Sequence, residues 1–292
     1  MLQKQQNQQK QRRRSLIFGD VVTYTVPNTT NTRSSADEAT VPPPRAAPPR
    51  ASPSTHMMVV RNLHSTVRVL VDGEIHVVPR AGLKRITNIP YEIAKRKYLF
   101  SQESDAIQSC LKLDAVSMYS VTDQISAVRI ANILYSLPDI GFSTPIVDGT
   151  SCVGGNTHAF AQRFETVHAV ELDEMRCEML RSNMTVLRHS NVVITCGDIL
   201  SIYQTLPIVF SESVVFIDPP WGGQTYRCHK KLHLYLNTHD IADICAKLDC
   251  IFKHVVLKVP YNFDFEHFYH INPKCFEYAI TNRMRIIVTK KE

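Results

Sequence analysis

The chain has 292 residues with 33 Lys+Arg, 27 Asp+Glu, 8 Cys, 10 Gly and 16 Pro, and 44% of it is hydrophobic. That composition excludes a collagenous or wholly disordered chain, and no stretch reaches the ~20 consecutive apolar residues of a membrane-spanning helix, so a soluble chain is expected. The formal charge of +6 is unevenly spread: residues 1–55 hold 8 Lys+Arg against 3 Asp+Glu and the rest 25 against 24, which excludes a globally basic nucleic-acid-binding domain.

Residues 1–55 run from Lys4, Lys10, Arg12, Arg13 and Arg14 through a Thr/Asn/Ser stretch to Pro42-Pro43-Pro44 and Pro48-Pro49. With few large apolar residues to offset ordering entropy, they read as a disordered basic tail for RNA tethering or targeting. Within it Leu16, Ile17, Phe18, Val21 and Val22 form one short apolar stretch able to dock. Residues 56–89 predict a small β-hairpin element, with Val67–Val71 and Glu74–Val78 flanking an Asp72-Gly73 turn. Residues 90–138 predict a helical extension, with apolar residues at Ile93, Tyr98, Leu99 and at Ile125, Val128, Ile130, Ala131, Leu134, closed by Pro138.

From residue 139 to 292 short β-branched runs alternate with longer segments: 145–147, 167–172, 192–196, 214–217 and 254–259, then two close runs at 276–280 and 285–289. The rhythm predicts an α/β domain, a doubly wound and mostly parallel Rossmann-like sheet covered on both faces and ending in an antiparallel pair. Met175, Met179, Met184 and Leu187 fall on helical spacing and are expected in its core.

The eight cysteines (110, 152, 177, 196, 228, 245, 250, 275) contain no C-x-x-C pair and follow no apolar leader. They predict reduced thiols in an intracellular protein, nuclear or cytoplasmic, without a disulfide framework. His229, His233 and His239 have no acid or cysteine at ligand spacing in the sequence, so no metal is expected.

Open α/β sheets bind ligands beyond the carboxyl ends of their strands. After the first run stands Asp148-Gly149-Thr150-Ser151-Cys152-Val153-Gly154-Gly155-Asn156-Thr157, three glycines in seven residues, suited to bringing backbone N–H groups close to a ligand. Glu171 ends the second run, where an acid can accept from a ribose diol, and Asp198 follows the third. The fourth ends in Asp218-Pro219-Pro220-Trp221-Gly222-Gly223, which holds the chain's one Trp. A carboxylate and a prolyl carbonyl can take the two N–H hydrogens of an exocyclic base amine, and an indole face can stack the base.

This order resembles the class I methyltransferases that use S-adenosylmethionine. The resemblance implies that Asp148, Gly149, Gly154, Gly155, Asn156, Glu171 and Asp198 bind the donor, while Asp218, Pro219 and Trp221 hold a substrate nitrogen. Over roughly residues 90–290 the chain is more narrowly similar to the trimethylguanosine synthases, which methylate guanine N2 of an m7G RNA cap. The similarity rests on Val153-Gly154-Gly155-Asn156-Thr157, Pro219-Pro220-Trp221-Gly222-Gly223-Gln224-Thr225-Tyr226, Leu99-Phe100-Ser101, Lys112-Leu113-Asp114 and Ser120-Val121-Thr122. It implies that Phe100 and Thr122 close over the donor, that Trp221 stacks on 7-methylguanine, and that Tyr226 and Asn262 complete the substrate side. The implied partner is m7G-capped RNA or an m7G nucleotide, bound by a monomer and away from membranes.

Three positions depart from that family's pattern: Asp218 replaces its usual Ser, Cys152 its usual Gly, and Tyr261 a basic residue. Lys95, Arg96, Lys97, Arg227, Lys230 and Lys231 are then the candidates for cap phosphates. Asp218 keeps open an N6-adenine or N2-guanine methyltransferase acting on DNA or internal RNA, and an idle cap-binding module is the alternative from another class.

Overall fold

The computed structural model describes residues 20–24, 57–62, 66–71, 74–79 and 83–289. Most of the expected tail and the Asp72-Gly73 turn lie outside the described residues. Two compact units divide the chain, one ending at Gln102 and one beginning at Glu103. Among the described residues no helix is long and apolar enough to cross a membrane.

In the first unit, β1 (Asp20–Tyr24), β2 (Met57–Asn62), β3 (Thr66–Val71), β4 (Glu74–Pro79) and β5 (Leu83–Asn88) make an antiparallel sheet in the order β4-β3-β2-β1-β5. The predicted hairpin is β3 and β4, paired from Thr66↔Pro79 to Val71↔Glu74. Val67, Val69 and Val71 alternate inward and pack with Val59 and Val78. β1 departs from expectation because it arises inside the stretch read as a tail. Its Val21 and Val22 pair with β2 on one side and β5 on the other, so a ladder on both edges compensates for a poor apolar content. Helix α1 (Tyr91–Leu99) follows Pro90 and buries Ala94 and Leu99.

The second unit opens with α2 (Asp105–Cys110), α3 (Ser117–Ser120) and α4 (Gln124–Tyr135). The helical extension is therefore divided, with α1 in one unit and α2 to α4 in the other. Asp123 caps α4 by accepting from the Ser126 N–H at 3.1 Å, and Ala127, Ile130, Ala131 and Leu134 form its buried stripe.

The remaining strands follow in order: β6 (Ile146–Asp148), β7 (Val167–Glu171), β8 (Val192–Cys196), β9 (Val214–Ile217), the short pair β10 (Tyr235–Leu236) and β11 (His239–Asp240), then β12 (His254–Pro260), β13 (Cys275–Thr281) and β14 (Met284–Thr289). Between them lie α5 (Gly155–Ala161), α6 (Glu174–Val186), α7 (Ile199–Ile202), α8 (Ile241–Asp249) and α9 (Phe265–Ile271). Seven strands form one sheet in the order β13-β14-β12-β9-β6-β7-β8, mostly parallel as the sequence predicts, with β14 alone reversed and pairing antiparallel with both β12 and β13.

Alternation along β9 separates two cores. Val214 and Phe216 join Ile130, Leu134 and Phe160 on one face, while Val215 and Ile217 join Leu248, Phe252 and Phe268 on the other. Truncating a buried aromatic such as Phe216 to Ala costs about 3–5 kcal/mol. Helix α6 corrects the expected methionine core: Met184 is buried, but Met175 is 65% exposed and the inward face is Cys177, Leu180, Asn183 and Met184. Met179 is half-buried and Leu187 packs against Leu180 and Met184, so the expectation fails at Met175, in the first turn after the Asp173 cap.

A buried polar relay joins the start of this unit to α5. Glu103 Oε1 lies 3.1 Å from His158 Nε2, and His158 Nδ1 lies 2.6 Å from His189 Nε2. Burial, with the His158 charge next, holds the His189 imidazole down at about 4, and the His158 hydrogen bond holds Glu103 below its usual range. The unfolded chain takes a proton on His189 below about pH 6.5 and the folded chain only near 4, so this contribution is lost as pH falls across that window. His189→Gln should therefore gain on the wild type in melting temperature between pH 6.5 and 4. A constant difference across that range would contradict the relay.

Candidate active site

The strand order defines the site. From β6 the chain winds outward through β7 and β8, then returns to pair with the other edge of β6 as β9. Connections leaving β6 and β9 diverge there, at the kind of switch point where α/β sheets receive ligands. Two bonds lace its rim: the Gly149 N–H donates to the Phe216 carbonyl at 2.8 Å, and the Asp218 N–H donates to Thr150 Oγ1 at 2.7 Å.

Asp148 ends β6 fully buried. Its Oδ2 accepts from the Thr157 hydroxyl at 2.7 Å, and its Oδ1 has no partner among the described residues. Burial pushes its carboxyl up to about 7; the hydrogen bonds from Thr157 and Thr150 oppose this, and the nearby Asp218 and Glu171 charges add to it.

The glycine turn is shaped by the protein's own packing. A Cβ on Gly155 would stand 2.6 Å from Val121 Cγ1 and 2.8 Å from the Thr122 carbonyl oxygen, so α5 can approach the segment before α4 only without a side chain there. Gly154 adopts φ 103, and a Cβ there would meet Met184 and Leu180 of α6. Thus the backbone approach read from the sequence is made, for these two glycines, against neighbouring protein. Cys152 has φ 50, a conformation that favours glycine, and its burial raises the thiol to about 12, which leaves it unreactive.

Glu171 holds that turn from the side. Its Oε2 accepts from the Cys152 N–H at 2.8 Å and its Oε1 from the Asp173 N–H at 3.0 Å, with Arg176 at 3.8 Å. A carboxylate has about four lone-pair sites, so capacity for a diol remains. Asp198 is the cap of α7, accepting from the Leu200 N–H at 3.0 Å and from Asn237 Nδ2 at 3.0 Å. Asn156 is buried on α5 with its Oδ1 unpartnered among the described residues. Thr122 is buried beside Asp218, whereas Phe100 belongs to the first unit, as the buried C-cap of α1.

On the substrate side Asp218 meets a residue that the motif reading passed over. Lys258 lies within β12, is 4% exposed, and places Nζ 2.5 Å from Asp218 Oδ2 and 4.7 Å from the centre of the Trp221 ring. The parallel register brings this about: Leu257 pairs with Ile217, so the next residues along the two strands are Lys258 and Asp218. Burial raises the Asp218 carboxyl, and the Lys258 ammonium pulls it back. A single lysine inside the apolar run 254–259 was the available signal, since a central strand buries both faces.

Pro219 is buried and Pro220 exposed, leading to a half-buried Trp221 whose Nε1 is buried without a partner among the described residues. Tyr226 is buried edge-on to Trp221, with ring centroids 5.3 Å apart, and Arg227 lies over the Tyr226 ring. Asn262 ties this loop down, its Nδ2 donating to the Tyr226 and His229 carbonyls at 2.8 Å each, and its buried Oδ1 is unpartnered among the described residues.

Two surface expectations change. Lys231 is held by Glu266 at 2.6 Å and Asp264 at 3.6 Å, which removes it from the phosphate candidates. The histidine stretch does have acids near it: ligand atoms of His233, Asp240 and His267 lie within 4.8 Å of one another, drawn together by folding and not by sequence spacing. Each imidazole already has its own carboxylate, His267 with Asp240 at 3.1 Å and His233 with Asp264 at 3.4 Å. Zinc at about 2.0–2.1 Å from its ligands requires a tighter cluster.

A family model described as RNA cap guanine-N2 methyltransferase matches residues 143–291. A trimethylguanosine synthase of Schizosaccharomyces pombe is 35% identical over 152 residues, covering 51% of this chain and 57% of that protein. An uncharacterized protein of Acanthamoeba polyphaga mimivirus is 34% identical over 152 residues, covering 50% of this chain and 58% of that protein. The chain thus spans somewhat more than half the length of these relatives. Among solved structures, a precorrin-6y C5,15-methyltransferase from Geobacter metallireducens is similar with a TM-score of 0.42 and 14% identity, covering 59% of this chain and 91% of that one.

The Asp148 carboxyl gives a test of the site's electrostatics. The folded chain keeps its proton up to about pH 7 and the unfolded chain loses it near 3.8, so stability is lost as pH rises between those values. Asp148→Asn should match the wild type near pH 4 and exceed it in melting temperature at pH 8 when no ligand is added. A variant that is less stable at pH 8 than at pH 4, relative to wild type, would contradict the assignment.

Proposed function

The chain belongs to the RNA cap guanine-N2 methyltransferases, and on that premise we propose that it moves methyl groups from S-adenosylmethionine to N2 of the guanine in an m7G RNA cap. The observation that carries this reading is the meeting, at one switch point, of Asp148 and its glycine turn with Asp218-Pro219-Pro220-Trp221. Unpartnered buried atoms on Asp148, Asn156 and Trp221 fit a site built for polar ligands.

S-adenosylmethionine supplies, when bound, a methyl group made electrophilic by a sulfonium. Asp148, Gly149, Gly154, Gly155 and Asn156 would hold it with Glu171, Asp198 and Thr122, Glu171 through the lone pairs its backbone contacts leave over. Asp218 and the Pro219 carbonyl accept the two N–H hydrogens of the guanine amine and aim its lone pair at the methyl. Trp221 stacks the base, and a 7-methylated guanine is cationic, which adds about 2 kcal/mol when desolvated. The nitrogen turns acidic once it is alkylated, so its proton passes to water without a strong base. Arg227 and Lys230, both exposed, are the candidates for cap phosphates on this unit.

One observation favours a second reading. Lys258 already sets an ammonium near the Trp221 ring, which lowers the gain from a cationic base and suits an uncharged purine amine in DNA or internal RNA. Competition separates the two, because m7GTP should inhibit a cap enzyme strongly and the other hardly at all.

Incubating the chain with m7GTP and labelled donor should give one or two methyl increments by mass. Trp221→Ala should cut this at least 100-fold while leaving donor binding within a few fold. A wild-type chain that binds the donor yet leaves m7GTP and m7G-capped RNA unchanged would overturn the proposal. A chain that the donor does not protect from thermal unfolding would point to an idle cap-binding module.

A further inference from the structure

We propose that Lys258 is a positioning residue for the substrate amine: by holding Asp218 Oδ2 from the adjacent strand, it aims the other carboxylate oxygen at the nitrogen to be methylated. The inference rests on the methyltransferase reading above and assigns to that site a residue from outside the motif.

Three observations carry it. First, Lys258 Nζ stands 2.5 Å from Asp218 Oδ2, and both side chains are largely out of solvent, at 4% and 11% exposure. Second, every residue of β12 is buried, and Lys258 stands directly across from Ile286 of β14. A buried ion pair is weak evidence of stabilisation, because an apolar pair of the same volume often does as well or better. A lysine at that position therefore points to work done on Asp218. Third, the same ammonium sits 4.7 Å from the centre of the Trp221 ring, so one cation contacts both the acceptor of the amine and the ring that would carry the base.

The chemistry follows from the geometry. The amine lone pair forms the new N–C bond as the S–C bond breaks with its electron pair going to sulfur, and the proton shed by nitrogen goes to water. An Asp218 that took up a proton would become a donor on one oxygen and could no longer accept as a carboxylate from the amine. Burial opposes its ionisation, while Lys258 from β12, by charge and hydrogen bond, and Thr122 favour it; the Asp218 charge in turn raises Asp148 on β6. Fixing Oδ2 on Lys258 also removes the rotation that would exchange the two oxygens.

The test uses the full chain, m7GTP and labelled donor. Lys258→Met and Lys258→Gln should each lower kcat at least tenfold at pH 7 with donor KM within threefold, and should move the acid limb of the kcat/KM profile to higher pH. Lys258→Arg, which keeps the charge, should bring that limb back, a change that a purely structural role does not produce. Asp218→Ser combined with Lys258→Met, which removes both charges and leaves a hydroxyl acceptor, should exceed Asp218→Ser alone, where a buried lysine is left unpaired. If either Lys258→Met or Lys258→Gln binds the donor and keeps the wild-type kcat and pH profile, the positioning role is wrong and the methyltransferase reading stands. If the wild type itself leaves m7GTP unmethylated, the underlying reading fails and takes this one with it.

Discussion

Two carboxylates buried at the ends of adjacent strands are the constraint around which the site is arranged. Asp148 and Asp218 lie across the β6/β9 switch point, each raised by burial, and the charge of Asp218 raises Asp148 further. Both cannot ionise there without compensation. Asp218 has the Lys258 ammonium; Asp148 has a threonine hydroxyl and a backbone N–H, and is pushed up to about 7. Lys258 thereby pulls one acid back towards its carboxylate form beside Trp221, and the other stays raised to about 7 beneath the glycine turn, where a ligand carrying positive charge would favour its ionised form. Two acids of the same kind are given different tasks by their surroundings alone.

The rest of the site is built to hold those two in place. Glu171 fastens the turn at Cys152, Gly155 allows α5 to close on Val121 and Thr122, and Thr150 reaches across to the Asp218 backbone. Asn262 fixes the loop that carries Tyr226 against Trp221. These ties join segments far apart in sequence that the parallel register of β12, β9, β6 and β7 brings together. Such preorganisation is what positioning a weakly nucleophilic amine requires.

Much of this was legible before any coordinates. The β-branched runs locate β7, β8, β9, β12, β13 and β14 to within a residue or so, because strands of a covered sheet read as short runs rich in apolar, β-branched residues. The strand-end acids and the Asp218 to Gly223 motif were visible for the same reason, since topology places those positions together whatever the side chains do. What escaped depended on tertiary registration. Lys258 hid in an apolar run because nothing local says which strand end it will meet. The His233, Asp240 and His267 grouping comes from three separate segments. β1 forms through ladders to β2 and β5 that are distant in sequence, and Met175 stands exposed in the first turn of a helix whose later Met184 and Leu187 do face the core.

The chain's one Trp offers the most direct measurement of the central claim, that a purine base is received beside Asp218 on Trp221. Intrinsic fluorescence excited at the indole reports on this residue alone. Titration with m7GTP should quench it saturably, and GTP should do so at least tenfold more weakly. Fluorescence that stays unchanged on adding m7GTP, or an equal response to both nucleotides, would contradict the account.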